Sequence, residues 1–377
     1  MAIEGTSVLQ EGTITAAGAS GGNVSITAGD LVSSAPIFAT GIAGRGGDIQ
    51  LMAERSLGRT LLAVLHGAGT PRPVTTEKFT RQWTPDMVVH ISTDGRGLDR
   101  LSRLLADRAT GLVLGGGGAR GFAHLGVWRA LLEHGIEVDL IGGASMGAAI
   151  GALIARGTDL ESLEEEVRGL FHGLLDYTLP LVSLIKGKRV ARGLEQSMGE
   201  WDIEDLWTPF FCTSTNLTHS KVLVHDRGSL ARAVRASVSI PGVFPPINAD
   251  KDLLVDSGLL NNLPADVMRD RIPHGSVIAV DVAPPVGPGA HLDLGMSVSA
   301  SEVVRSRLRS GKVRHPRLIP ILLRSMITAS MRERDATISQ GMIDLYLDLD
   351  MRGIGLLDFE RGAEAIEAGY EAAAPRI

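Results

Sequence analysis

The feature that most constrains the fold is a pair of glycine-rich turns, each of which follows a short apolar segment and precedes a helical pattern. The first turn, Gly115–Gly121, follows Gly111–Leu114. The second, Gly143–Gly147, follows Val138–Gly142. This alternation predicts an α/β fold with a mostly parallel sheet, in which both turns open at the carboxyl edge of neighbouring strands.

The rest of the chain predicts the domain organisation. Residues 1–48, rich in Gly, Ala, Ser and Thr, indicate a weakly ordered segment or the remnant of a larger N-terminal module. Residues 49–109 indicate a small appended αβ element, 110–284 the α/β domain, and 285–377 a mainly helical C-terminal region. Further strands are predicted at Leu61–His66, Met87–Ile91, Phe210–Ser214, Lys221–His225, Leu253–Asp256 and Val277–Asp281.

Composition narrows the classes of function. A net charge of −6 disfavours a nucleic-acid binder, which needs clustered positive charge. The single cysteine, Cys212, leaves no intramolecular disulfide and no multi-cysteine metal site, and neither a metal nor another cofactor is expected. No apolar run reaches the roughly 18 residues of a membrane span, and the N-terminus lacks a signal-peptide pattern, which favours a cytoplasmic protein.

The first turn is open to three interpretations. Gly116–Gly121 matches the dinucleotide fingerprint, and Asp139 lies about 20 residues downstream, as that motif requires. Asp139 lies at the start of the apolar segment Val138–Gly142, however, whereas a ribose-binding carboxylate stands where the second strand ends. The turn could equally be structural, or it could form an oxyanion hole. The candidate oxyanion residues are Gly116, Gly117, Gly118, Ala119, Arg120 and Gly121.

The second turn has the spacing of a nucleophile elbow. In Gly143-x-Ser145-x-Gly147 the glycines would allow a strained strand-to-helix turn that presents the serine hydroxyl. The alternative is a serine that only caps the following helix. The position between a strand and a helix, beside the first turn, favours Ser145 as a nucleophile.

A base for this serine is not evident among the histidines. None of those downstream of Ser145 stands in a special context. Asp256, in Asp256-Ser257-Gly258, ends a predicted strand and would bring a carboxylate to the rim that holds Ser145. The alternative is an aspartate that only forms a turn.

Together these motifs resemble those of the patatin-like phospholipases, a family with a three-layer α/β/α fold. The resemblance implies that Gly116–Gly121 forms the oxyanion loop and that Ser145 and Asp256 form a dyad without histidine. Ser257 stands where the family usually has glycine. The expected activity is that of a serine esterase acting on lysophospholipids or phospholipids. A catalytically silent lipid-binding protein and a dinucleotide-dependent oxidoreductase remain the alternatives.

Longer segments are similar to the bacterial relatives of neuropathy target esterase. They include Leu112–Val127, Ser239–Pro246 and Gly355–Phe359, and the resemblance extends over residues 60–377. Many members of that group carry cyclic-nucleotide-binding modules upstream, for which residues 1–48 are too short.

One segment bears on membrane contact. Thr178–Lys186 is apolar and is followed by Lys188 and Arg189, a pattern that suits peripheral binding to an anionic lipid surface. An ordinary core helix with a basic end fits the same pattern.

Overall fold

The computed structural model describes strands within residues 2–56, where only the backbone is considered, and residues 60–81, 84–171, 183–283 and 318–377. Side chains are described from residue 60 onward, apart from Phe171, 318–324 and Met326. The predicted interfacial segment Thr178–Lys186 therefore lies outside the described residues over 178–182, as do His172, His291 and His315.

The strands are β1 (Ala2–Gln10), β2 (Ile14–Gly18), β3 (Val24–Ser33), β4 (Ile37–Gly41), β5 (Ile49–Ser56), β6 (Leu61–His66), β7 (Met87–Ser92), β8 (Thr110–Leu114), β9 (Leu140–Ala144), β10 (Phe210–Asn216), β11 (Lys221–His225), β12 (Ile247–Ala249), β13 (Asp252–Val255), β14 (Ser276–Asp281) and β15 (Leu345–Asp348).

The helices are α1 (Glu77–Thr80), α2 (Leu98–Leu105), α3 (Ala123–Glu133), α4 (Met146–Ala155), α5 (Leu160–Phe171), α6 (Lys188–Met198), α7 (Leu230–Ser237), α8 (Ala265–Arg271), α9 (Leu318–Ser339) and α10 (Gly362–Ala373). Within the described part of the chain, none of them is long and apolar enough to cross a bilayer.

The central sheet runs in the order β12-β13-β10-β9-β8-β14-β15, with β11 also paired to β10. Strands β10, β9, β8, β14 and β15 are mutually parallel. Strands β11 and β13 join β10 in the antiparallel direction, and β12 is antiparallel to β13. The predicted, mostly parallel sheet is confirmed, and its parallel strands bring the two glycine-rich turns to one edge.

Both faces of the sheet are buried at its centre, along β8 and β9, as parallel strands require. Along β8, Leu112 and Leu114 pack into the larger core, with residues of α3–α7 and α10, whereas Val113 packs into the smaller core with α2 and α8. Helices therefore cover the sheet on both sides, and the predicted three-layer α/β/α arrangement is confirmed.

The N-terminal part contains separate small sheets. Strands β1, β3 and β5 pair in parallel, as do β2 and β4, and β6 and β7. Strand β7 and helix α2 pack on the smaller core of the central sheet. The domain boundaries at residues 48, 109 and 284 stay predictions.

The C-terminal part differs in one respect from the sequence-based expectation. It contains the predicted helices, α9 and α10, but it also supplies β15, which pairs in parallel with β14 and extends the central sheet. Leu345–Asp348 is too short, and too rich in charge at its end, to be distinguished from a loop by its periodicity.

Candidate active site

The pairing register brings Ser145 and Asp256 together. Strand β9 pairs with the first half of β10 and ends at Ala144, and β13 pairs with the last residues of β10 and ends at Val255. Strand β11 pairs along the other side of β10. Strands β9 and β13 therefore lie on the same side of β10, and their C-terminal ends approach each other. The residue that follows each strand therefore reaches the same point.

Ser145 sits on a strained turn between β9 and α4. Its backbone angles, φ 51° and ψ −121°, lie in a region that residues with a Cβ rarely adopt. Its Oγ donates a 2.7 Å hydrogen bond to Oδ2 of Asp256. The strain is typical of a nucleophile elbow, which lifts the hydroxyl out of the sheet and toward a substrate.

The surrounding backbone leaves no space for a side chain at Gly147. A Cβ at Gly147 would collide with the carbonyl oxygen of Leu114, so α4 can pack against the end of β8 only if this residue is glycine. The N–H of Ser145 donates to Oγ of Ser237, at the end of α7, over 2.9 Å. Ser237 is a part of the site that the motifs did not reveal.

Asp256 is a buried carboxylate that faces no cation among the described residues. Its Oδ1 accepts from the N–H of Gly258 over 2.8 Å, and its own N–H donates to the carbonyl of Ser239. Burial raises the pKa of Asp256 to about 6, although the hydrogen bonds from Ser145 and Gly258 oppose this shift. A carboxylate with such a pKa can accept a proton near neutral pH.

The described histidines lie away from this pair, and none of them hydrogen-bonds to Ser145 or Asp256. His124 is a buried residue of α3, and its Nε2 lies 2.7 Å from the carbonyl oxygen of Gly115. Burial lowers the pKa of His124 to about 4. The ring of His225 contacts Oγ of Ser214 instead.

The first glycine-rich turn ends as a short 3-10 turn, Gly118–Phe122. The N–H groups of Gly116, Ala119 and Arg120 already donate to backbone carbonyls, those of Asn262, Leu356 and Gly117 respectively. Among the described residues, the N–H groups of Gly117 and Gly118 have no acceptor. The sequence predicted all of Gly116–Gly121 as oxyanion-loop residues, and these hydrogen bonds remove Gly116, Ala119 and Arg120 from the N–H groups that are available as donors.

Asn262 holds this loop through two hydrogen bonds to Gly116. Its Nδ2 donates to the carbonyl of Gly116 over 2.8 Å, while its own carbonyl accepts the N–H of Gly116. A Cβ on Gly116 would also press on Oδ1 of Asn262 and on Ser145. The pair Asn261-Asn262, a few residues after Asp256, was the sequence signal that could have indicated this role.

Asp139 is excluded as a nucleotide-binding residue by its position. It precedes β9, at the amino edge of the sheet, whereas Ser145 follows β9 at the carboxyl edge. Its buried carboxylate forms a two-pronged ion pair with Arg103 and accepts the N–H of Thr110. The sequence-based argument against a dinucleotide site is confirmed in this respect.

Comparison with known proteins agrees with the motifs. Residues 112–269 match the model of the family described as patatin-like phospholipase. An uncharacterized NTE family protein of Mycobacterium bovis is 38% identical over 294 residues, which cover 76% of this chain and 49% of that protein.

Two fungal proteins named lysophospholipase NTE1 are also similar. The protein of Eremothecium gossypii is 34% identical over 303 residues, covering 78% of this chain and 19% of its own. That of Lodderomyces elongisporus is 37% identical over 281 residues, covering 72% and 19%. This chain thus spans about half the length of the mycobacterial relative and about a fifth of the fungal ones.

Proposed function

This chain belongs to the patatin-like phospholipase family, and from that premise we propose that it is a serine esterase that hydrolyses acyl esters of lysophospholipids or phospholipids through Ser145 and Asp256. The observation that carries the proposal is the 2.7 Å hydrogen bond from Oγ of Ser145, on a strained turn, to the buried carboxylate of Asp256. A nucleophile within hydrogen-bond reach of a base is the arrangement that acyl transfer needs.

In the first half of the reaction, Oγ of Ser145 attacks the ester carbonyl carbon while Oδ2 of Asp256 takes the hydroxyl proton. The carbonyl oxygen gains the negative charge of a tetrahedral intermediate. The unoccupied N–H groups of Gly117 and Gly118, together with the N-terminal end of α4, stabilise that charge. Asp256 then returns its proton to the leaving alcohol oxygen, and an acyl-Ser145 ester remains.

In the second half, water replaces the alcohol. Asp256 accepts a proton from the water as its oxygen attacks the acyl carbon, and the same N–H groups hold the second oxyanion. Collapse of this intermediate breaks the bond to Oγ, and the proton on Asp256 returns to Ser145. The carboxylate is restored and the free fatty acid departs.

The environment of Asp256 supports its role as the base. An ordinary aspartate, with a pKa near 3.8, would take a proton from a hydroxyl very poorly. Burial without a neighbouring cation brings the pKa of Asp256 to about 6, closer to neutral pH. A cation here would favour the charged form and lower the basicity again.

The substrate class follows from the family and from the names of its relatives, which include lysophospholipases. Contact with a lipid surface is part of the proposal. Lys186, Lys188 and Arg189 are exposed at the start of α6, close to the loop after α7, since Ile185 donates to the carbonyl of Val243. Positive side chains at this position suit an anionic bilayer surface.

The test is labelling of the folded protein with a fluorophosphonate, which phosphonylates activated serines. We expect the label on Ser145 and its loss, together with ester hydrolysis, in Ser145→Ala. A suitable control is Ser92→Ala, because Ser92 has the same 6% exposure but lies in β7. This variant should label and turn over like the wild type. Wild-type protein that binds lipid but is neither labelled nor active would instead be a silent lipid-binding protein.

A further inference from the structure

The amides of Gly117 and Gly118 can act as oxyanion donors only if the loop holds them in place. Gly118 has a φ of 57°, in the left-handed region that favours glycine. Within the loop, the N–H of Arg120 reaches the carbonyl of Gly117 at 3.3 Å, a long hydrogen bond. Contacts from outside the segment also hold the loop.

One side of the loop is held by a stretch far away in the chain, Gly353–Asp358, which we call the C-terminal strap. The carbonyl of Leu356 accepts the N–H of Ala119 over 2.9 Å. The same carbonyl lies so close to Gly118 that a Cβ there would collide with it. The strap thus holds the peptide unit that joins Gly118 and Ala119, and it lies directly against Gly118.

Arg120 provides the second attachment. Its Nε donates to the carbonyl of Ile354 over 2.7 Å. Burial lowers the pKa of this guanidinium, and the negative charge of Asp358 opposes that effect. The strap therefore offers Arg120 both a hydrogen-bond acceptor and a nearby carboxylate.

Asp358 also shapes the strap itself. Its Oδ2 accepts the N–H of Gly355 over 2.7 Å, and its own N–H donates to the carbonyl of Gly355 over 3.3 Å. These bonds close a tight turn that points the carbonyls of Ile354 and Leu356 at the glycine loop. Asp358 is exposed, so its role is not that of a buried core residue.

We propose that Asp358 is a positioning residue for the oxyanion loop: it closes the C-terminal strap and faces Arg120, so that the strap's carbonyls orient the N–H groups of Gly117 and Gly118. This inference rests on the proposed esterase function, and it adds a residue outside the family match at 112–269. Asp358 touches no reacting atom and acts only through the loop.

The expected effect is on the transition state and not on substrate binding. Removal of one oxyanion donor typically costs about 100- to 1,000-fold in kcat, and misorientation of the donors should cost less. We expect Asp358→Ala to lower kcat about tenfold with KM unchanged, and Asp358→Asn to lower it less, since the amide oxygen can still accept from Gly355. Affinity for a trifluoromethyl ketone, whose adduct carries an oxyanion, should fall in parallel with kcat.

Asp350→Ala provides a matched control. Asp350 is a neighbouring exposed aspartate that pairs with Arg352 and does not touch the glycine loop. Its loss should leave kcat and the affinity for the ketone unchanged. In the double variant Arg120→Lys with Asp358→Asn, the two losses should be less than multiplicative, because both side chains hold the same loop.

The outcomes separate the two proposals. If wild-type Ser145 is not labelled by the fluorophosphonate, the esterase function fails and this inference fails with it. If Ser145 is labelled and Asp358→Ala keeps the wild-type kcat and affinity for the ketone, only the role of Asp358 is overturned. That role is also overturned if Asp350→Ala loses as much activity as Asp358→Ala, or if Asp358→Ala changes only KM.

Discussion

One buried aspartate at the amino edge of the central sheet and one at the carboxyl edge have opposite surroundings: the first pairs with a cation, and the second pairs with none among the described residues. At the amino edge, before β9, Asp139 is fully buried and is held by Arg103 and by the N–H of Thr110. At the carboxyl edge, Asp256 is also buried, but among the described residues it receives hydrogen bonds only from Ser145 and Gly258.

This difference shows what distinguishes a structural carboxylate from one suited to proton transfer. Arg103 beside Asp139 offsets its negative charge and fastens α2 to the sheet, and the groups that hydrogen-bond to it among the described residues, Arg103 and the N–H of Thr110, are not nucleophiles. Asp256 lacks such a partner among the described residues, and burial raises its pKa to about 6. This lack of a cation that would offset the buried negative charge of Asp256 costs stability of the fold, and the same lack makes the carboxylate more basic.

The largest expected effect is on turnover when the carboxyl-edge aspartate is neutralised. Asp256→Asn keeps the shape of the side chain but cannot accept the proton of Ser145, so we expect kcat to fall by at least about 1,000-fold, within the range of general-base losses. Ester hydrolysis under saturating substrate measures this loss.

The matched change at the other edge is Asp139→Asn with Arg103→Met, which removes the buried ion pair as a whole. This variant should keep the wild-type kcat in whatever fraction is folded. A similar loss of kcat in both variants would mean that Asp256 is not distinguished from Asp139 by a role in proton transfer.

The second effect is on stability, and it belongs to the amino edge. Arg103→Met alone leaves the buried Asp139 with the N–H of Thr110 and, as its remaining cation among the described residues, the more distant Arg100, whose Nε lies 4.0 Å away. Breaking a buried pair on one side typically costs about 3–5 kcal/mol, and the remaining arginine should reduce this to about 2–3 kcal/mol. Urea unfolding followed by circular dichroism measures the free energy of unfolding.

Glu137→Gln is the control for that measurement. Glu137 also pairs with Arg103, but its side chain is 62% exposed. Its removal should change the free energy of unfolding very little, as for most surface ion pairs. If Arg103→Met and Glu137→Gln lower the free energy of unfolding equally, the burial of Asp139 does not account for the contribution of its ion pair to stability.

The sequence predicted those parts of the fold and site whose signal is local. The glycine spacing around Ser145 and the apolar strands that precede each turn were enough to predict the elbow, the parallel sheet and the edge at which the turns open. The position of Asp139 at the amino end of its strand was predicted in the same way. These features depend on residues close together in the chain.

The sequence did not reveal contacts made by backbone atoms across long separations. Leu356 contacts the glycine loop through its carbonyl, a group that every residue carries, so no side-chain pattern could indicate it. Ser237 was missed because its partner is the N–H of Ser145. Strand β15 was missed because a four-residue edge strand has too little periodicity to be recognised.

The last effect is the pH dependence, and the direction of the change separates a loss of chemistry from unfolding. With the pKa of Asp256 near 6, kcat/KM should fall about tenfold for each pH unit below 6, because only the carboxylate accepts a proton. The contribution of Asp256 to stability runs the other way. Its pKa is raised above the ordinary 3.8, so the folded state gains stability as pH falls from about 6 to 4.

The decisive measurement compares the wild type with Asp256→Asn, in both activity and unfolding, over this range of pH. Activity lost while the wild type gains stability relative to Asp256→Asn identifies protonation of Asp256 as the cause. If the profile stayed flat down to pH 4, the base would be a group with an ordinary carboxylate pKa, and the uncompensated burial of Asp256 would have no catalytic consequence.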